Sequence, residues 1–332
     1  MSKANSSNKN LQVIIEFGKL VYFEPDLCNK IFQIKLSHFN GSIEFPAIKD
    51  FPSENEKLLI PKNLDCDLFE DSILIKDWGY YYKSKIKSSI NYIGVNSLLI
   101  NFKVKKSNTE ECNEIYKILK KWLNLLFEHF EISKKIVLRE NKTYPHNYLA
   151  FNKIAARTRL STDEIVSIPK NTLGAPIITG VYETKPDTFS YDSFKYIIDL
   201  CSTLKDVPTD LSLINDARIE LWTDRRKAVL DSSTALELTL TRICANKLLK
   251  IKDENFSNSI LNRYKTLGNK IQLAHDLDLD LPINKNEYEI KVVKIRNKAI
   301  HEGNMPTFEE AKSLFKICEK TIRQFSDLKY FS

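Results

Sequence analysis

Residues 225–250 read RRKAVLDSSTALELTLTRICANKLLK. Ala228, Ala235, Leu236, Leu240, Ile243, Cys244 and Leu248 recur there at three- and four-residue spacing, the period of one helical face. Asp224 stands just before the run, where its carboxylate can accept from the free N–H groups of a first helical turn. Working outward, Phe194 to Leu204 and Leu211 to Trp222 are short amphipathic pieces, and Trp222 is expected to anchor a bundle. On the other side a helix is expected over Asn258 to Ala274. The acidic segment Asp276 to Asp280 and Pro282 then break the chain, as a solvated loop without the spacing of a metal loop. Glu287 to His301 forms the next helix and stops at Gly303, which suits a left-handed cap. Pro306-Thr307 opens the last helix, to about Phe325, with Phe308, Ala311, Leu314, Phe315, Cys318 and Ile322 inward. Residues 186–332 therefore read as an up-and-down bundle of four to six helices.

The first part of the chain has a different grammar. Leu11 to Phe17, Ile31 to Phe39, Ser42 to Ile48 and Val95 to Val104 are rich in β-branched and aromatic residues, and Asn40-Gly41 reads as the turn between the second and third. Ile115, Ile118, Leu119, Trp122, Leu123, Leu126 and Phe130 mark one amphipathic helix between Glu111 and Phe130. Pro169, Gly174, Pro176, Gly180 and Pro186 punctuate a stretch that no helical stripe crosses, and Ile177 to Val181 reads as a last strand there. The expected fold class is α+β: a mixed α/β domain over residues 1–185, of sensor or regulatory character, then an all-α bundle over 186–332.

Composition narrows the function. Of 332 residues only 8 are Gly, and neither GxxxxGK[ST] nor GxGxxG occurs, so a phosphate-cradling nucleotide enzyme has no support. The six cysteines, Cys28, Cys66, Cys112, Cys201, Cys244 and Cys318, include no CxxC pair, and no metal-ligand cluster or cofactor motif is visible. No apolar run approaches the length of a bilayer crossing, so no membrane contact is expected and a reducing cytoplasm is the natural setting. The net charge of +7 is uneven, with 27 Lys/Arg against 21 Asp/Glu in residues 1–185 and 23 against 22 in the rest. That mild basic bias favours polyanions. Tyr80-Tyr81-Tyr82 beside Lys83, Lys85 and Lys87 would suit stacking on single-stranded nucleic acid, although a strand with one edge in the core is the plainer reading. Lys153, Arg157 and Arg159 read as ordinary surface charge. His38, His129 and His146 read as packing or structural residues, and His275 beside Asp276 as part of the acidic loop.

One segment carries chemistry: Arg296-Asn297-Lys298-Ala299-Ile300-His301, at a helix end. Asn297 and His301 are four apart and share a helical face, and the long side chain of Arg296 can sweep toward it. With 10 arginines and 5 histidines in 332 residues, the Arg–His spacing alone arises by chance about 0.15 times, so the helix end and the neighbouring Asn matter. A cation, an amide and an imidazole suit cleavage of RNA. Its 2′-hydroxyl is an internal nucleophile that needs a base, a cation for the charge growing on phosphorus, and an acid for the leaving 5′-oxygen. His301 would serve as base or acid and Arg296 as phosphate clamp, with no metal required.

On these residues the C-terminal part resembles a HEPN domain (higher eukaryote and prokaryote nucleotide-binding). Ribonuclease members of that family carry Arg, a polar residue that is usually Asn, then His, the pattern of Arg296, Asn297 and His301. The stretch Arg225 to Leu238 resembles the family's long helix, where an acidic residue often orients the Arg or the His; Glu237 stands at that place. The resemblance spans about residues 190–328. It implies a metal-independent endoribonuclease, active as a homodimer with two motifs facing across the interface. It also implies RNA, tRNA among it, as substrate, and a toxin or antiviral role with an antitoxin or phage-derived trigger as partner. The alternative it leaves open is a non-catalytic adaptor that dimerises and binds nucleotide or nucleic acid.

Overall fold

Alternating apolar residues draw Lys9–Phe23 into a long strand, β1, whose Leu11, Val13, Ile15 and Phe17 are all buried. The structure, a computed structural model, describes residues 9–49, 56–64, 78–83, 91–104, 109–134, 151–159, 165–167 and 188–328. It is an α+β protein whose chain divides into two units, Met1–Lys205 and Asp206–Ser332.

In the first unit the strands are β2 (Ile31–Leu36), β3 (Phe39–Glu44), β4 (Glu56–Lys57), β5 (Gly79–Lys83), β6 (Asn91–Val104), β7 (Phe151–Arg159) and β8 (Ile165–Ser167). They form one sheet in the order β2-β3-β6-β1-β7-β8, antiparallel throughout, with β5 also on β6 and β4 on β5. β1 and β6 pair from Lys9↔Val104 to Phe23↔Ile93, with one irregularity between Glu16 and Val21. Helix α1 (Thr109–Lys134) packs on one face, where Phe17 meets Phe127 edge-on at 5.4 Å. Phe23 stands among Phe45, Phe130, Phe189 and Phe194, at centroid distances of 4.9, 6.2, 5.4 and 5.5 Å. Such pairs contribute roughly 0.5–1.5 kcal/mol each beyond the area they bury.

The division falls at Lys205/Asp206, twenty residues beyond the break suggested by the proline-rich stretch. The reason lies in residues 189–202. Phe189 N–H donates to the Tyr22 carbonyl at 3.0 Å, and Glu24 N–H to the Phe189 carbonyl at 2.9 Å. The helix that follows, α2 (Tyr191–Ser202), buries Phe194 among the aromatic residues of the sheet. Residues 168–187, with the expected strand over Ile177 to Val181, lie outside the described residues, as do Cys66, Lys85, Lys87 and His146.

The expected Asn40-Gly41 turn is a strand. Leu36 pairs with Phe39, so Ser37 and His38 form the loop, and Asn40 and Gly41 pair with Lys35 and Ile34. Gly41 answers a packing need: a Cβ there would lie 2.6 Å from a ring carbon of Phe102 and 2.7 Å from the Asn101 carbonyl oxygen. His38 therefore sits exposed at the hairpin tip, its ring 3.9 Å from that of Phe39, and not in the core. Of the tyrosine run, Tyr81 is buried while Tyr80 and Tyr82 take the opposite face beside Tyr22 and Tyr92, with Tyr82 stacked on Tyr92 at 5.0 Å.

The second unit contains α3 (Thr209–Glu220), α4 (Arg225–Leu249), α5 (Glu254–Arg263), α6 (Leu267–Asp276), α7 (Lys285–Tyr288), a π turn (Glu289–Val293), α8 (Lys294–His301) and α9 (Phe308–Gln324). Asp224 caps α4 as expected, accepting from Lys227 N–H at 3.0 Å. All seven stripe residues of α4 are buried, and Val229, Ser232, Ser233 and Thr239 join them, so this helix is central rather than one-faced. The single helix expected over Asn258 to Ala274 is two. Tyr264 ends α5, and Thr266 caps α6 by accepting from Asn269 N–H at 3.2 Å. Asp276, Asp278 and Asp280 lie exposed around the turn that follows.

Polar pairs set the register of α3, α4 and α9. Asp210 accepts from Thr239 Oγ1 at 2.8 Å and from Arg242 at 3.3 Å. In the last turn of α3, Arg218 donates to Asn215 at 2.7 Å and to Glu319 of α9 at 2.8 Å, and Glu319 also accepts from Arg323. These side chains are only 13% and 10% exposed for Arg218 and Glu319. Removing one partner of such a pair leaves a buried charge, so Glu319→Leu is expected to lower unfolding free energy by about 3 kcal/mol. The double variant Arg218→Met/Glu319→Leu should recover most of that in urea titrations.

His129, within α1, is 4% exposed, and burial pushes its imidazole down to about 4. The unfolded chain takes up this proton below about pH 6.5 while the folded chain resists until about pH 4. Stability from this residue is therefore complete above pH 6.5 and falls between 6.5 and 4, by about 3 kcal/mol in full. His129→Gln should flatten that part of the pH profile of the first unit's urea midpoint.

Candidate active site

The motif grows out of a helix that is built with care up to it. Asn284 caps α7 by accepting from Glu287 N–H at 2.9 Å. Tyr288 is fully buried, its hydroxyl 2.6 Å from Thr321 Oγ1 of α9. The π turn follows, with Val292 and Val293 buried, and hands on to α8 three residues before Arg296. Such turns interrupt the regular ladder and recur at functional sites, a signal that hydrophobic spacing does not report.

On α8 the inward residue is Ala299, which is fully buried. Asn297 and His301 lie on the opposite side and are exposed; Lys298 is exposed too. Arg296 sits at the edge of the helix, half-buried, and its Nη1 donates to Asn297 Oδ1 at 3.1 Å. The guanidinium thus reaches the face that carries His301. Helix α8 ends with Glu302 N–H on the Lys298 carbonyl at 3.2 Å, and Gly303 has φ +67°, the left-handed cap expected of it. Thr307 and Glu310 then close a reciprocal cap on α9, with Glu310 N–H on Thr307 Oγ1 and Thr307 N–H on the Glu310 carboxylate. Those hydrogen bonds, and the charge of Lys298 nearby, hold the Glu310 carboxyl below the usual carboxylate range.

Glu237, the acid the resemblance offers, lies on α4. It is half-buried on α4 and receives Lys270 Nζ of α6 at 2.9 Å. Its partner is a lysine, while the partner of Arg296 is Asn297. Among the described residues the Glu237 carboxylate pairs with Lys270, and the Arg296 guanidinium donates its hydrogen bond to Asn297.

Trp222 departs furthest from expectation. It does not anchor the bundle; it is 78% exposed in the turn between α3 and α4. Its ring lies 4.8 Å from that of Phe308, the first residue of α9. Spacing alone could not have shown this, because an aromatic residue at a helix boundary fits a core and a surface equally well.

No protein-family model, curated protein or solved structure matches the chain. Among the described residues no helix is long and apolar enough to cross a membrane.

The Glu237–Lys270 contact makes a prediction of its own. Glu237→Gln and Lys270→Met should each lower the urea midpoint, and the double variant should show a coupling of about 0.5–3 kcal/mol, the range for residues in direct contact. An acid that oriented Arg296 would show that coupling with Arg296→Gln instead.

Proposed function

We propose that the second unit is a metal-independent endoribonuclease of HEPN type, with Arg296 and His301 as its reacting groups and Asn297 as the residue that positions Arg296. The observation that supports this most is the Arg296–Asn297 hydrogen bond, which bends a guanidinium onto the exposed face carrying His301. The substrate would lie with its phosphate against Arg296, where planar N–H donors match two phosphate oxygens. His301 would take the proton of the 2′-hydroxyl or give one to the leaving 5′-oxygen. One imidazole cannot be base and acid in the same step. A homodimer with two α8 ends facing each other across a two-fold axis supplies the second. The products would be a 2′,3′-cyclic phosphate and a 5′-hydroxyl, and DNA would be inert. RNA, tRNA included, is the substrate class. A toxin or antiviral role follows by association with the family, with the first unit as sensor and an antitoxin or phage-derived trigger as its partner.

A second reading, a non-catalytic adaptor, draws support from one observation: Glu237 is held by Lys270 and not by the motif. Cleavage decides between them. Purified full-length protein with total RNA in EDTA should give fragments ending in cyclic phosphate. His301→Ala and Arg296→Ala should each lower the rate by about 100-fold or more, the usual contribution of an acid–base group or a charge clamp. Equal cleavage by wild type and His301→Ala, or none by a wild type that still dimerises, gives the adaptor.

A further inference from the structure

Of the three tryptophans in the chain, Trp78 and Trp122 are buried, at 2% and 0% exposure, while Trp222 is 78% exposed. The exposed ring is not loose. It rests on Phe308 at 4.8 Å, with the planes inclined by 42°, and the ammonium of Lys312 stands 5.3 Å from the centre of the Phe308 ring. Arg225 and Arg226 follow in the first turn of α4, half-buried and exposed in turn. Among the described residues neither of these arginines nor Lys312 has a carboxylate within ion-pair distance. The neighbouring Lys227 differs, being bound to Glu220 at 2.9 Å and Asp231 at 3.4 Å. Of the acids close by in sequence, Asp224 is taken up in capping α4 and Glu310 in capping α9, and Glu309 is exposed.

This patch lies at the same end of the bundle as the α8 motif. Six residues join His301 to Phe308, and Lys298 is near enough to Glu310 for its charge to be felt there. Exposed rings and cations without carboxylate partners, together, suit a ligand with flat faces and a negative backbone. Single-stranded nucleic acid is that ligand, since stacking uses the ring faces and the phosphates use the cations. A second copy of the chain fits less well. A two-fold contact centred on Trp222 would bring Arg225, Arg226 and Lys312 toward their own symmetry mates.

We infer that Trp222, backed by Phe308 and flanked by Arg225, Arg226 and Lys312, is a stacking platform that receives an unpaired base of single-stranded RNA beside the Arg296–His301 site. This deepens the ribonuclease reading and rests on it for the choice of RNA. Trp222 binds the substrate and takes no part in the bond-breaking step.

The test uses the full-length wild-type chain and a 2′-O-methyl adenylate 12-mer, which cannot be cut through the 2′-oxygen. Binding should quench the red-shifted emission of Trp222, and Trp222→Phe should lose that signal because the two remaining tryptophans are buried. By fluorescence anisotropy, Trp222→Ala should raise Kd by about 5- to 100-fold, whereas Trp222→Phe, which keeps a ring, should raise it by less than about 3-fold. Arg226→Gln should reduce the slope of log Kd against log salt by about 0.7. Thermal midpoints of these surface variants should match wild type. Binding of the 12-mer without quenching, or with equal affinity by Trp222→Ala, overturns the platform. So does a dimer that dissociates on Trp222→Ala, which would assign the patch to a second copy. Cleavage of unmodified RNA by Trp222→Ala with an unchanged KM also overturns it while leaving the nuclease standing. Quenching by the 12-mer in a protein that cuts nothing upholds the platform and removes the nuclease.

Discussion

The register of α3 against α9 is the constraint on which the packing of the second unit depends. Arg218 and Glu319 meet at 2.8 Å with little exposure, and Asp210 ties the other end of α3 to Thr239 and Arg242 of α4. A guanidinium and a carboxylate removed from water tolerate few geometries, because a shift of one helical turn would part the buried Arg218 guanidinium from its carboxylate, while Glu319 would keep Arg323 of its own helix. Hydrophobic packing alone is more forgiving, since leucines and alanines one turn apart can exchange holes at modest cost. Trp222 lies one turn beyond Arg218, and Phe308 opens the helix that carries Glu319.

In the first unit the equivalent constraint is the long β1–β6 pairing. A one-residue slip would send Val13, Ile15 and Phe17 to the wrong face. Gly41 marks how close the packing around it is, since the ring of Phe102 occupies the space that any side chain would need. The aromatic cluster around Phe23 draws in Phe189 and Phe194, which makes α2 part of this unit and explains why the prolines before it do not mark the division.

The α8 motif combines two kinds of group. Arg296 is restrained, half-buried and hydrogen-bonded to Asn297, while His301 is exposed at a helix end capped by Gly303. In the proposed reading Arg296 is a charge clamp, which gains from being held in place before a substrate arrives, and His301 a proton-transfer group, which gains from reach. That reading calls for two copies of the chain, because one imidazole would need a second proton-transfer group beside it to complete a site.

Much of this was legible from the residues. The α+β class, the extent of α4 and its Asp224 cap, the end of α8 at Gly303 and the cap of α9 at Thr307 follow from local periodicity and from hydrogen bonds made within one turn. The sharing of a face by Asn297 and His301 follows from helical spacing as well. Tertiary structure decided the rest, because in each case a distant residue competes with a local preference. Phe102 turned Asn40-Gly41 from a loop into a strand. Lys270, 33 residues on, pairs with Glu237, the acid that the family resemblance offers to the motif. Phe308 gave Trp222 a partner at the surface instead of a place in the core. Periodicity reports which side of a helix is apolar; it carries no information about which residue, far along the chain, comes to stand opposite.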